Sequence, residues 1–255
     1  MSNPMPPNSS VLGRLLAELS WVGSTIRDYR NGGRGYENVL TAETLLALDF
    51  LPRQLFLGNV LAGAHGADSA RIRLISEIEE AEFTLLPGNH PLVPSGDRHQ
   101  TQMSVQPDGI IKSPSTYTIL EAKRIRASSF QPEQLAREFV LALREAGPRK
   151  PILLLIVGEA PPVKVAGHGK LSIPEAISLY LDSVLIRAEN HSFTNQQAKH
   201  LINEVVCWIT WDEIAEIVNQ QSDAFQSTNE SVQGCINRLC KSVTNAISWH
   251  GYENG

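Results

Sequence analysis

An α/β domain is what the middle of this 255-residue chain predicts, and three stretches carry the prediction. Residues 106–126, QPDGIIKSPSTYTILEAKRIR, read as two short strands rich in Ile, Thr and Tyr, joined by a turn-forming patch at 112–116. Residues 132–146 repeat Leu135, Phe139, Ala142 and Ala146 at helical spacing, with Pro132 as a first helical position and Gly147-Pro148 as the stop. Residues 151–157, PILLLIV, form a continuous apolar run short enough for a strand buried on both faces. Strand, helix and buried strand in that order build an α/β core.

Composition narrows the class. A hydrophobic content of 42% is ordinary for a water-soluble globular chain, and the length suits one domain. A net charge of −5 argues against gathering nucleic acid by bulk charge, so any such contact needs a local basic patch. Cys207, Cys235 and Cys240 show no CxxC pairing, which points to reduced thiols and a cytoplasmic setting. No basic leader with an apolar run opens the chain, and no stretch approaches eighteen apolar residues, so no membrane partner is expected.

The elements follow in order. Residues 1–10 read as a flexible tail rich in Pro and Ser, and 11–255 as a single domain with its core at about 36–158 and helical additions at 11–35 and 170–250. An amphipathic helix is expected over 11–30, from Leu12, Leu15, Leu16, Leu19, Val22 and Ile26. The following RNGGRG is either a helix-helix linker or an anion contact made by backbone amides. Helices are expected at 36–47 and 51–62, the second with Pro52 near its start. RIRLIS, within 71–86, alternates as a strand does, and at least one strand is placed in that interval. Residues 87–102 read as a long loop or wide hairpin connection. Beyond the core, helices are expected at 173–188 and 194–203, a strand at 204–209, and a helix from the Thr210/Glu213 capping box to Asn219. A polar loop at 220–229 and a final amphipathic helix at 230–249 complete the chain.

Charged residues within the central strands supply the chemistry. Successive side chains of a strand point to opposite faces, so Glu121 and Lys123 share a face with Ile119, while Leu120 and Ala122 take the other. Asp108 opens the preceding strand, so two carboxylates and an ammonium can meet at one place. Mg²⁺ takes oxygen ligands and keeps several waters, so Asp108, Glu121 and the Ala122 carbonyl suffice to hold it. Lys123, beside them, can orient a water and balance the charge of a phosphodiester under attack.

Pro107-Asp108, followed by Glu121-Ala122-Lys123 at the end of an apolar strand, resembles the PD-(D/E)xK nuclease superfamily over about 36–157. The resemblance implies a restriction-endonuclease-like α-β-β-β-α-β core with a mixed sheet flanked by helices. It implies an Mg²⁺-dependent nuclease, with Mn²⁺ as substitute, acting on nucleic acid with DNA favoured, in a prokaryotic or phage defence, restriction or repair setting. A homodimer is a reasonable expectation for cutting two strands. By position, Glu37 in GYENVL is similar to the family's helix acid, with Glu43 as second choice, and Gln134 in EQLAREF to its supporting glutamine. The competing expectation is a nuclease-like module without activity that binds nucleic acid or a partner protein.

Lys112, Arg124, Arg126, Arg137 and Arg144 are candidate phosphate contacts if they share a face. His90 and His99 are conceivable ligands in the loop before the site, where exposed histidines are common. Gly167-His168-Gly169-Lys170 lacks the spacing of a phosphate loop and reads as a surface loop. Trp208 and Trp211, at a strand-helix junction, read as core rather than as base-stacking platforms.

Overall fold

The computed structural model describes residues 35–92, 103–126, 129–189 and 193–252. The expected tail, the helix over 11–30, the RNGGRG junction up to Arg34 and His99 lie outside the described residues. In chain order the elements are α1 (Gly35–Phe50), α2 (Leu57–Gly63), β1 (His65–Gly66), α3 (Asp68–Ser76), β2 (Glu82–Leu85), β3 (His90–Pro91), β4 (Ser104–Val105), β5 (Gly109–Lys112) and β6 (Thr116–Ala122). There follow α4 (Gln134–Glu145), β7 (Lys150–Val157), β8 (Val163–Val165), β9 (Gly169–Leu171), α5 (Ile173–Arg187), α6 (Asn195–Val205), β10 (Val206–Thr210), α7 (Trp211–Ala224) and α8 (Glu230–Tyr252).

A mixed six-stranded sheet in the order β1-β10-β7-β6-β5-β2 forms the middle layer. The strands β2, β5 and β6 pair antiparallel, whereas β6, β7 and β10 run parallel, so their carboxyl ends share one edge of the sheet. PILLLIV behaves as its composition demands. Ile152, Leu154 and Ile156 pack into one core and Leu153, Leu155 and Val157 into the other, all six at most 2% exposed. Helices α4, α5 and α6 cover the first face through Phe139, Ile177 and Ile202. The second face is covered by α1, α2, α3, α7 and α8 through Leu48, Leu61, Leu74, Ile214 and Val243. The result is a three-layer α/β/α arrangement.

The β5-β6 turn, which presents the charged strands, is held from outside. Glu77 accepts hydrogen bonds from the Ser113 hydroxyl at 2.5 Å and the Ser115 amide at 2.9 Å, while Ser113 Oγ accepts from the Thr116 amide at 3.0 Å. These bonds, the Ser113 hydroxyl first, hold the Glu77 carboxyl below its usual pKa.

Several local expectations are corrected. RIRLIS is the body of α3, and the strand of that interval is EFTL. The alternation misleads because Arg71 is buried, donating to the carbonyls of Leu61, Ala62 and Gly66, whereas Ile72 is 65% exposed. Residues 51–56 form turns, so the third helical segment begins only at Leu57. Pro132 lies in the turn before α4, which starts at Gln134. Helix α7 runs on to Ala224, five residues beyond the expected stop at Asn219. Of the expected surface loop at 167–170, Gly167 and His168 lie in the turn of the β8-β9 hairpin and Gly169 and Lys170 open β9, with Gly167 and Gly169 both at φ +77°.

Candidate active site

The site forms at the carboxyl end of β6, where the strand lies between antiparallel β5 and parallel β7. Crevices beyond the carboxyl ends of parallel strands are the habitual ligand positions of α/β sheets. The β6-β7 ladder continues one step past Ala122, with the Lys123 amide donating to the Ile156 carbonyl at 2.8 Å. Lys123 is thereby held as firmly as a residue of the strand itself.

Asp108 immediately precedes β5. Its amide donates to the Leu120 carbonyl at 3.1 Å, and its carboxylate Oδ2 accepts from the Ala122 amide at 2.7 Å. The acid is thus oriented from both its backbone and its side chain, at the residue that separates Glu121 from Lys123 in sequence. It is 8% exposed.

Glu121 and Lys123 share the face predicted from strand alternation. Lys123 Nζ stands 2.6 Å from Glu121 Oε1, with the two side chains 10% and 4% exposed. The same Oε1 accepts a hydrogen bond from Gln134 Nε2, at the first residue of α4. Beneath the ammonium, 5.2 Å away, lies the Phe130 ring, which favours the cation. Glu121, Lys123 and Gln134 are therefore in contact, and the Asp108 carboxylate is tied to the amide of Ala122, the residue between the first two.

Sequence reasoning missed one acid. Glu138, on α4 one turn beyond Gln134, is 1% exposed and lies against Glu121 and Gln134. Burial, and next the Glu121 carboxylate, hold its pKa well above the usual carboxylate range, with Lys123 and the Gln134 amide pulling the other way. Its Oε2 has no hydrogen-bond partner among the described residues. The available signal was the spacing Gln134-x-x-x-Glu138, which places the acid one turn beyond the glutamine on the same face of α4. Together with Asn89, Ser104, Gln106, Gln131 and Arg137 they line a cavity of about 560 Å³.

Two further residues brace the end of β6. Trp211, fully buried at the start of α7, donates from Nε1 to the Lys123 carbonyl at 2.6 Å. Gly158, just after β7, lets the chain at Arg124 and Ile125 pass so closely that a Cβ on it would sit 2.0 Å from the Ile125 carbonyl oxygen.

Other expected residues stand elsewhere. Glu37 lies in α1, but its side chain is outside the described residues. Glu43, the second choice, is 3.6 Å from buried His250 of α8. Arg144 donates to the Leu92 carbonyl at 2.5 Å and Arg137 to the Ser104 carbonyl at 3.5 Å, so both brace the β3-β4 ladder, Arg137 from the wall of the cavity. The Lys112 ammonium stands over the Tyr117 ring, at 5.8 Å. His90 pairs with Val105 in that short ladder, and burial lowers its pKa. Trp208 stacks on His65 at 4.2 Å, packed partly against the core.

Among the described residues no three His, Cys, Asp or Glu side chains are grouped as a cation cage. Mg²⁺ requires fewer, one or two carboxylates with waters completing its shell. Two carboxylates fit that demand, because Asp108 and Glu121 are each held in one orientation by a hydrogen bond at the end of β6. Among the described residues, no helix is long and apolar enough to cross a membrane. No family model matches the chain, and no curated protein or solved structure matches it.

Proposed function

We propose that the protein is a metal-dependent nuclease that hydrolyses phosphodiester bonds, with DNA the favoured substrate. The observation that carries this reading is the contact of Glu121, Lys123 and Gln134 at the carboxyl end of β6, with the Asp108 carboxylate fixed to the Ala122 amide between the first two. The order of a helix, β2, β5, β6, α4 and β7 supports it, since it is the α-β-β-β-α-β order of a restriction-endonuclease-like core. Asp108, Glu121 and the Ala122 carbonyl would hold Mg²⁺, which when bound supplies positive charge to a phosphoryl oxygen and makes its water more acidic.

The chain's own groups do the rest. The Ala122 amide keeps the Asp108 carboxylate in one orientation, and Gln134 does the same for Glu121. Lys123, a fixed ammonium in a setting with little water, stabilises negative charge developing on the phosphate far better than an exposed lysine would. The cavity bounded by Gln134 and Glu138 leaves room for the strand beside the cleaved bond.

The test is cleavage of plasmid, single-stranded DNA and RNA in Mg²⁺ or Mn²⁺. Asp108→Ala and Lys123→Ala are expected to abolish cutting while leaving the circular dichroism spectrum unchanged; parental activity in both removes the assignment. A second reading, a nuclease-like module that binds without cutting, is favoured by one feature: Glu121 Oε1 is already taken by both Lys123 and Gln134. It predicts a stable nucleic-acid or protein complex and no cleavage under any metal.

A further inference from the structure

The residue beneath Lys123 also carries a hairpin. Phe130 donates from its amide to the Lys164 carbonyl at 2.9 Å and accepts from the Ala166 amide at 3.0 Å, forming an isolated parallel bridge with Val165. The β8-β9 hairpin is thus fastened to the floor of the site. Val163 and Val165 point into the core, so strand alternation turns Lys164 outward.

Directly across the ladder from Lys164 stands Lys170. Residues opposed in an antiparallel pair share a face, and like charges placed there repel. Glu159 lies 3.4 Å from Lys170, but the two side chains are 79% and 61% exposed, and an exposed pair of that kind offsets little. Lys164 has no ion-pair partner among the described residues. Both lysines line a groove of about 240 Å³ with Ile125, Phe130, Val157 and Glu159. Ile125 is two residues beyond Lys123, so the groove adjoins the site.

We propose that Lys164 and Lys170 form a clamp for the backbone phosphates of a nucleic-acid strand as it passes the site. An oxyanion between the opposed ammonium groups removes the repulsion that the bare hairpin carries. The identity of the polyanion rests on the nuclease reading, whereas the clamp itself is read out by binding.

The experiment uses the full chain in EDTA with fluorescein-labelled single-stranded and duplex DNA of about 20 nucleotides, following anisotropy from roughly 50 to 200 mM salt. Lys164→Ala with Lys170→Ala is expected to weaken binding about tenfold and to flatten the log–log salt slope by about 1.4 for single strands and about 1.8 for duplex. Its melting temperature should equal or exceed the parent's, because the repulsion is gone. Lys199→Ala with Lys241→Ala, which removes the same charge from exposed positions on α6 and α8, is expected to change neither quantity. Equal losses in the two double variants, or no loss in the first, overturn the clamp. Cleavage assays separate it from the nuclease reading. A parent that binds in this way yet cuts nothing keeps the clamp and sinks the nuclease; a parent that cuts, with the hairpin variant binding as tightly, does the reverse.

Discussion

Glu138 lies buried against Glu121, and its Oε2 has no hydrogen-bond partner among the described residues. Two carboxyl groups in contact away from water cannot both be charged without cost. A carboxyl whose folded pKa is raised contributes stability that is present below its unfolded pKa and is lost as pH rises toward the folded one. Glu138→Gln keeps the shape and removes the charge. Measured in EDTA, it is expected to raise the melting temperature at neutral pH by about 2–4 °C for each kcal/mol relieved. The gain should disappear in acid, where the parent's carboxyl is protonated both folded and unfolded. A variant that is less stable than the parent across the range contradicts this account.

Gln134 donates its side-chain amide to the Glu121 carboxylate, one of the proposed metal holders. Groups that orient a metal-holding carboxylate change metal affinity or rate by about 10–100-fold when removed. Gln134→Ala is therefore expected to lower kcat within that range and to raise the Mg²⁺ concentration needed for half-activity. Gln134→Glu, which places a third carboxyl beside Glu121 and Glu138, should be worse than Gln134→Ala. The reverse order of the two variants would show that the amide's role is steric.

The parts of this arrangement that were legible in sequence are those where one physical rule acts alone. PILLLIV has no polar residue to place, so burial on both faces follows from composition, and the pairing of Glu121 with Lys123 follows from the two-residue period of a strand. Glu138 was hidden because a carboxylate inside an amphipathic helix reads as its wet face, and only the third dimension shows α4 turning it toward β6. Arg71 and Ile72 inverted the usual rule, the cation buried to bind the carbonyls at the end of α2 and the apolar chain exposed, so the period of α3 could not be read. The β8-β9 hairpin was invisible for a different reason. Its strands are three residues long, too short for any periodicity, and what secures it is the backbone of Phe130, more than thirty positions before its first residue.

Glu77 reaches across thirty-six residues to hold the turn between the two charged strands. Because its folded pKa is lowered, chiefly by the Ser113 hydroxyl, its contribution is fully present above the unfolded carboxyl pKa and is lost as pH falls through the folded one. Glu77→Ala is expected to cost about 1–2 kcal/mol at neutral pH, the worth of two charge-assisted hydrogen bonds at a partly exposed position. In urea titrations the difference between parent and variant should shrink to nothing in strong acid. A difference that persists there would assign the effect to packing instead.

Gly158 offers the severest test of how the site is held. A methyl group there would lie 2.0 Å from the Ile125 carbonyl oxygen, 2.5 Å from its carbon and 2.6 Å from the Arg124 oxygen. All three neighbours are backbone, so no rotamer change relieves the clash. The segment must move away from the end of β7, and with it the Lys123 amide that bonds Ile156 and the Lys123 carbonyl that accepts from Trp211. Overpacking in a close-packed interior costs about 1–3 kcal/mol where side chains can yield, so Gly158→Ala is expected to lose about 3 kcal/mol or more. The urea midpoint should fall sharply. In whatever fraction stays folded, indole fluorescence should shift as Trp211 loses its acceptor, a change that simple destabilisation elsewhere would not produce. Parental stability in this variant would mean that β6 and β7 do not meet beyond Ile156 as described, and that Lys123 is free to leave Glu121.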